Sequence, residues 1–419
     1  MIEQLFFCLI TMAQSARLQL SWYNFSNSLW MISFSIQQLL VTWILVGVLD
    51  QSPEAVGLAQ LIIGVPALLF MLWGGVIGDR VDGRTLLFQS HLLSAIPPLI
   101  LALAVYVDHL GFWVLIATAL IANLLNSASN PARNTILNSV AGNRLQYAIS
   151  LSTGIGSLAT MLGTRIAGEI DNFGLIQVLL LQSACFGLGG LFVLGLKKNP
   201  AVSTPPDPLE IKPSMIEVIQ EGLNYTWRFK LARDLVGLNF FSSFFNAGAW
   251  MIAIPFIINR IYAGDALLLA NMTVVFYFGS LVANFGLLRF MPLLRPGRLY
   301  LIMQVSRILV LLLIWVQPTL TWLWVAAAYW GFNMGVTTTM SRVMIQEIAE
   351  PEFRARLMSV FTLGLMSATP MGSLVLGLVI GQFGELNALI PGMLASAVIF
   401  WYGLKHSSIW QYQSPQPTA

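Results

Sequence analysis

Charge is what this sequence has least of. Only 9% of its 419 residues are Asp, Glu, Lys or Arg, while 57% are hydrophobic; soluble domains carry about 25% charged residues. A water-soluble chain of this length could not cover its surface with so few. Histidine numbers three and cysteine two. His91, His109 and His406 are scattered, and Cys8 and Cys185 both fall in apolar stretches. That leaves neither a disulfide framework nor a metal-ligand spacing. No His-Glu-x-x-His, no Gly-x-Ser-x-Gly and no phosphate-binding glycine loop occurs. The expectation is therefore no enzyme, no cofactor and no metal. A net charge of +3, spread over short loops, is too small to suggest a nucleic-acid partner, and none is expected. The start does not read as a cleaved signal peptide, since Glu3 replaces a basic start and the apolar residues 5–13 are too short to span. That stretch reads as an interfacial segment, or as a leader ahead of a true start near Met12.

What the chain has instead is apolar runs of membrane-spanning length. Twelve are expected, over residues 26–49, 55–77, 86–107, 111–129, 148–170, 174–196, 235–258, 266–288, 299–317, 320–341, 357–381 and 386–404. With twelve spans both termini share one side. On that side lie 18 of the 21 basic residues; Arg260 alone falls in an opposite loop, and Arg165 and Arg307 lie within spans. So uneven a distribution makes that side cytoplasmic. The expectation is a multi-pass protein of the bacterial inner membrane with both termini inside.

Halfway along, residues 197–213 hold five prolines and should be extended. Met215, Val218, Ile219, Gly222, Leu223 and Trp227 then recur at helical spacing with polar residues between them, which predicts an amphipathic helix on the cytoplasmic face. The loop divides the chain into a bundle over 1–196, a linker over 197–234 and a second bundle over 235–419.

The halves carry a weak repeat. Residues 133–168 realign 209 positions later on residues 342–377 with eight of 36 pairs identical, among them Arg133/Arg342, Ser150/Ser359, Gly163/Gly372 and Gly168/Gly377. Each copy reads as a charged loop running into a glycine-rich apolar helix. A repeat half a chain apart in a membrane protein is the pattern of parallel-repeat transporters.

Polar residues inside the spans are the candidate site. Gln37 and Gln38 occupy the middle of span one; Asn246 and Trp250 the middle of span seven; Asn123 and Asn333 lie in spans four and ten. Each amide has the plain reading of a helix–helix hydrogen bond; together they form a candidate substrate site at mid-depth. Arg165, within span five, needs something to offset its burial. Either it pairs locally with Glu169 one turn on, or it binds an anionic or hydroxyl-rich substrate, or it is a partner in a gate. Arg307 reads as a scaffold or snorkelling residue. No Asp or Glu lies at the centre of any span, so Glu169 is the remaining candidate for a proton-coupling group.

After span two, Gly75, Asp79, Arg80 and Arg84 stand in the order Gly, three residues, Asp, Arg, then Arg four positions on. This resembles the signature after helix two of the major facilitator superfamily, with Asp82 and Gly83 where Gly and Arg are expected. Residues 130–133 (NPAR), 221–225 (EGLNY) and 354–372 (RARLMSVFTLGLMSATPMG) are similar to the branch containing the enterobactin exporter and related multidrug–proton antiporters. The resemblance implies an all-α polytopic membrane protein of twelve transmembrane helices in two pseudo-symmetric six-helix bundles. It implies a monomeric secondary transporter working by alternating access, with helices one, four, seven and ten lining the cavity. A cytoplasmic gate would draw on Asp79, Arg80, Arg84, Arg133, Arg342 and Arg354. The arginine that many antiporters carry within helix four is missing from span four, because Arg133 falls past its end. The expected cargo is an amphiphilic small molecule, a drug or siderophore, moved outward and coupled to protons. The alternatives are a lysophospholipid flippase of the same fold, an intramembrane enzyme, or a transport-dead sensor.

Overall fold

The computed structural model describes residues 2–78, 82–141, 145–197, 215–291, 293–350 and 352–415, without the side chains of 2–17, 69, 71–78, 215–216, 218–219 and 355. All regular structure among them is helical. The order is α1 (Ile2–Trp43), α2 (Pro53–Gly78), α3 (Gly83–Ser94), α4 (Ile96–Tyr106), α5 (Phe112–Ala141), α6 (Leu145–Ala167), α7 (Ile170–Phe173) and α8 (Leu175–Leu194). Then come α9 (Met215–Arg228), α10 (Lys230–Ser242), α11 (Gly248–Phe256), α12 (Ala266–Phe290), α13 (Pro296–Trp315), α14 (Leu320–Ile348), α15 (Arg354–Phe383) and α16 (Ile390–Lys405).

These account for twelve crossings. The third is α3 and α4, bent at Ala95 ahead of Pro97 and Pro98; the seventh is α10 and α11 joined by a π turn, Ser243–Ala247. Nine helices among the described residues are long and apolar enough to cross a membrane, and Pro53–Leu68 is a shorter apolar one. The other two crossings, α6 and α14, are long enough at 23 and 29 residues but carry more polar side chains. Leu99, Leu103, Phe285 and Leu288 are exposed on the helix surfaces, which is tolerated only against lipid.

Local chemistry sets the helix ends. Asp82 caps α3, its carboxylate accepting from the Thr85 N–H at 3.2 Å and the Thr85 hydroxyl at 3.1 Å. Asp265 caps α12 in the same way through the Leu268 N–H at 2.8 Å. Asp82, which departs from the family signature, thus has a structural task. Gly384 closes α15 at φ +87°, a left-handed position that glycine occupies without strain.

The chain forms two compact units. Unit 1 comprises residues 1–43 and 62–210; unit 2 comprises 44–61 and 211–419. In lipid, helices gain little from the hydrophobic effect on meeting one another, so close packing at small residues holds each unit together. In unit 1, α6 crosses α1 at Gly163, where a Cβ would collide with the Ile32 carbonyl and the Ser35 hydroxyl. In unit 2, α15 crosses the seventh helix at Gly372, where a Cβ would collide with the Phe244 carbonyl; a Cβ on Gly248 would lie 2.9 Å from the Gly372 carbonyl carbon. Gly163 and Gly372 are one of the identical pairs of the repeat, and Ser35 and Phe244 stand at the same 209-residue offset.

Two expectations are corrected. The first helix runs unbroken from Ile2, so residues 5–13 are not a separate segment ahead of the span. Arg133 and Arg342 are not in loops: α5 and α14 continue past both, to Ala141 and Ile348. Polar residues near a helix end do not break it, and Pro131 sits within α5. The helix expected over residues 215–227 is present as α9, docked in unit 2 by an Arg356–Glu221 ion pair at 3.0 Å and by Tyr225 stacked on Phe353 at 4.7 Å.

Candidate functional site

The most polar interior region of unit 2 is built around Arg307. It lies midway along α13, is 3% exposed, and fans out to four neutral oxygens. Nε donates to Asn333 Oδ1 at 2.9 Å; Nη1 donates to Ser242 Oγ at 2.6 Å and to Gln304 Oε1 at 3.4 Å; Nη2 donates to Thr337 Oγ1 at 3.0 Å. Asn333 in turn donates to the Met303 carbonyl at 2.6 Å and the Ser306 hydroxyl at 2.8 Å. Among the described residues no acid pairs with Arg307. Of the scaffold and snorkelling readings only the second fails, because the guanidinium turns inward along a ladder of acceptors. Asn333, Thr337 and Ser341 recur at helical spacing on α14 and supply one rail of that ladder. They lie on one face one turn apart, and that spacing was the sequence signal for it.

Beside Arg307 is a cavity of ≈50 Å³ whose lining includes Ser242, Asn246, Trp250, Trp330 and Thr337. Trp250 stacks on Phe276 at 4.0 Å and meets Trp330 edge-on at 5.2 Å. Asn246 sits within the π turn Ser243–Ala247, a local widening of the helix often found at functional positions. Its amide nitrogen donates to the Ser242 carbonyl at 3.0 Å, while its Oδ1 is buried without a partner. Asn246, Trp250 and Asn333, expected separately from three sequence positions, thus fall in or next to one small region. Arg307, Ser242, Gln304 and Thr337 are the members not anticipated.

Unit 1 holds a second buried cation. Arg133, 5% exposed on α5, lies over the Trp30 ring at 4.2 Å and donates to Ser129 Oγ at 3.2 Å; its Nη1 has no partner. The Trp30 indole N–H donates to Asn126 Oδ1 at 3.0 Å. His91 packs edge-on to Trp30 at 4.7 Å, with Nδ1 2.9 Å from the Leu87 carbonyl and Nε2 3.2 Å from Ser26 Oγ. A carbonyl only accepts, so Nδ1 carries a proton, while Nε2 and the Ser26 hydroxyl pair at hydrogen-bond distance. Helix four therefore does contain an arginine, contrary to the span-based expectation.

The remaining expected residues are spread out. Gln37 is buried and accepts from Gln182 Nε2 at 2.6 Å, within unit 1. Gln38 is exposed and Asn123 half-buried. Arg165 is in the last turn of α6 with its side chain 41% exposed, ion-paired to Glu169 just past the helix end. Glu169 accepts from Asn172, and this together with Arg165 holds its carboxyl below the ordinary carboxylate range. Arg84 binds the Leu194 carbonyl at the end of α8. Arg342 is exposed, and Arg354 lines a larger cavity of ≈740 Å³ with Met340, Gln346 and Glu347. Asp79 and Arg80 lie outside the described residues.

Comparison with known proteins places this arrangement. A family model described as a transmembrane secretion effector matches residues 23–408. An uncharacterised MFS-type transporter, YfiS of Bacillus subtilis (strain 168), is 26% identical over 185 residues; the match covers 44% of this chain and 43% of YfiS, less than half the length of that relative. Among solved structures, a mutant of the nucleoside transporter NupG superposes with a TM-score of 0.73 at 14% identity, covering 92% of this chain and 99% of NupG. A bacterial homologue of the human lysosomal transporter Spinster superposes with a TM-score of 0.71 at 15% identity, covering 96% and 99%. These two likenesses carry the fold.

Proposed function

The chain belongs to the transmembrane secretion effector family of major-facilitator membrane transporters, and from that premise we propose that it exports an amphiphilic small molecule of the drug or siderophore class by alternating access. The observation that carries this reading is the cavity of unit 2. It joins a helix widened at Asn246, an aromatic wall of Trp250 and Trp330, and the polar ladder of Arg307. A flat apolar moiety of the cargo would rest on the Trp250–Trp330 wall, and its polar edge would meet Asn246. At ≈50 Å³ the cavity holds an anchoring group, not a whole solute. In this reading Gln37 and Asn123 belong to the unit 1 side of the pathway, and the basic loops mark the cytoplasmic face. Arg84, Arg133, Arg342 and Arg354, with Asp79 and Arg80, serve the cytoplasmic gate.

Coupling to protons belongs to the same proposal. Glu169 is a poor proton carrier at neutral pH, because its hydrogen bonds favour the ionised form. A gradient-driven cycle would need a different group.

The test is efflux of dyes and siderophores from a strain lacking its own exporters. The wild-type chain should lower cell-associated dye, and Trp250→Ala should cut the rate by about tenfold at unchanged surface expression, the scale of one lost aromatic anchor. Undiminished efflux by that variant would remove the unit 2 cavity from the pathway. Uptake of labelled lysophospholipid with no efflux of any solute would overturn the exporter reading.

A further inference from the structure

We propose that the cavity beside Arg307 is a binding site for one compact monovalent anion, either a free ion of chloride size or the acid group at one end of a solute. The second source rests on the exporter reading above; the anion site itself does not.

The argument begins with charge. Arg307 is 3% exposed in the middle of an apolar 20-residue helix. A charge at such a position must be offset, and among the described residues nothing of opposite sign does so. Its four partners, Asn333, Ser242, Gln304 and Thr337, are neutral dipoles. They satisfy hydrogen bonds but leave the net charge in place.

Donor counting points the same way. A guanidinium has five N–H groups and four are used, so one on Nη2 is spare. Ser242 Oγ accepts from Arg307, which leaves its own hydrogen free to donate. Both residues line the cavity, together with Thr338 and the partly buried Trp250, and no carboxylate lines it. A full positive charge, two free donors and no acid favour an anion over a cation, with the unpaired Asn246 Oδ1 an opposing acceptor in the lining.

Size then restricts the class. A cavity of only ≈50 Å³ suits a compact group such as a halide or a single carboxylate rather than a whole amphiphile.

The experiment is thermal unfolding of the purified full-length chain in detergent. Chloride or formate is titrated against gluconate at constant ionic strength. Saturable stabilisation by about 2–4 °C is expected. It should be lost in Arg307→Gln and kept in Arg260→Gln, whose arginine sits in a separate pair with Glu385. Should Arg307→Gln fail to fold, Ser242→Ala keeps the cation and removes one donor. It should then raise the half-saturating concentration by about tenfold, one charge-assisted hydrogen bond. A response to chloride stronger than to formate assigns a free ion; the reverse assigns the acid end of a solute. No saturable response to either anion, or an unaltered response in both variants, overturns the site. Because no transport is measured, this failure is separable from failure of the exporter reading.

Discussion

The two units each bury one arginine, and they keep it in different ways. In unit 2, Arg307 is held by directed hydrogen bonds from its fork to four oxygens on three helices. In unit 1, Arg133 has a single hydrogen bond, to Ser129, and rests its flat face on Trp30. The first arrangement depends on geometry and tolerates no change of shape. The second depends on a charge near a ring, which is less demanding of direction. Both units contain the same close helix crossing, at Gly163 and at Gly372, so the packing was retained across the repeat while the polar interiors diverged. Arg342, the repeat partner of Arg133, shows the divergence directly: one is buried and the other exposed.

Lysine in place of each buried arginine is the sharpest way to break this comparison, because it keeps the charge and removes the fork. Arg307→Lys should lose about 3–5 kcal/mol, the scale of a buried charge left with broken partners. Arg133→Lys should lose about 1 kcal/mol, since an ammonium can still sit over Trp30. Unfolding midpoints measured in the same detergent read the difference. Equal losses would mean that Trp30 is not the main support of Arg133.

The next effect comes from the crossings. Gly163→Ala and Gly372→Ala should each cost about 1–3 kcal/mol, because in both the new methyl meets a backbone carbonyl, which cannot rotate away. A large cost in one unit alone would show that the other crossing can relax, and would limit the structural likeness of the halves.

The smallest effect concerns the half-buried Arg165–Glu169 pair. Glu169 has a carboxyl held below its ordinary 4.5. A depressed folded value stabilises above the unfolded one and is lost as pH falls through the folded one. Glu169→Gln should therefore differ slightly from wild type at neutral pH, and the two should converge as pH falls through the lowered range of the Glu169 carboxyl. A gap that persists into acid would assign the difference to the Asn172 hydrogen bond and not to charge.

The polar interiors were only partly legible in the sequence. Asn246, Trp250 and Asn333 stood out because an amide or an aromatic in mid-span is conspicuous against leucine and valine. Arg165 is conspicuous in the sequence for the same reason, as a charge within an apolar span. In the structure Arg165 lies in the last helical turn, 41% exposed and paired to Glu169, while Arg307 is sealed. Span prediction fixes depth only to within a few residues, and a turn of helix is about 5.4 Å, enough to move a charge from the interior to the rim. Arg133 was misplaced by the converse error, since α5 carries helix well past the last apolar residue of its run.

Composition alone determined the solvent: with 9% charged residues this chain can fold only where apolar surface is not penalised. The lengths of the apolar runs determined the number of crossings, because backbone polar groups in lipid must be satisfied within each helix. Neither could determine which side chains meet. Helical periodicity gives a face, but the neighbour of that face is chosen by packing between segments far apart in the chain. That is why the convergence of Ser242, Arg307, Asn333 and Thr337 on one point was decided only by the tertiary structure.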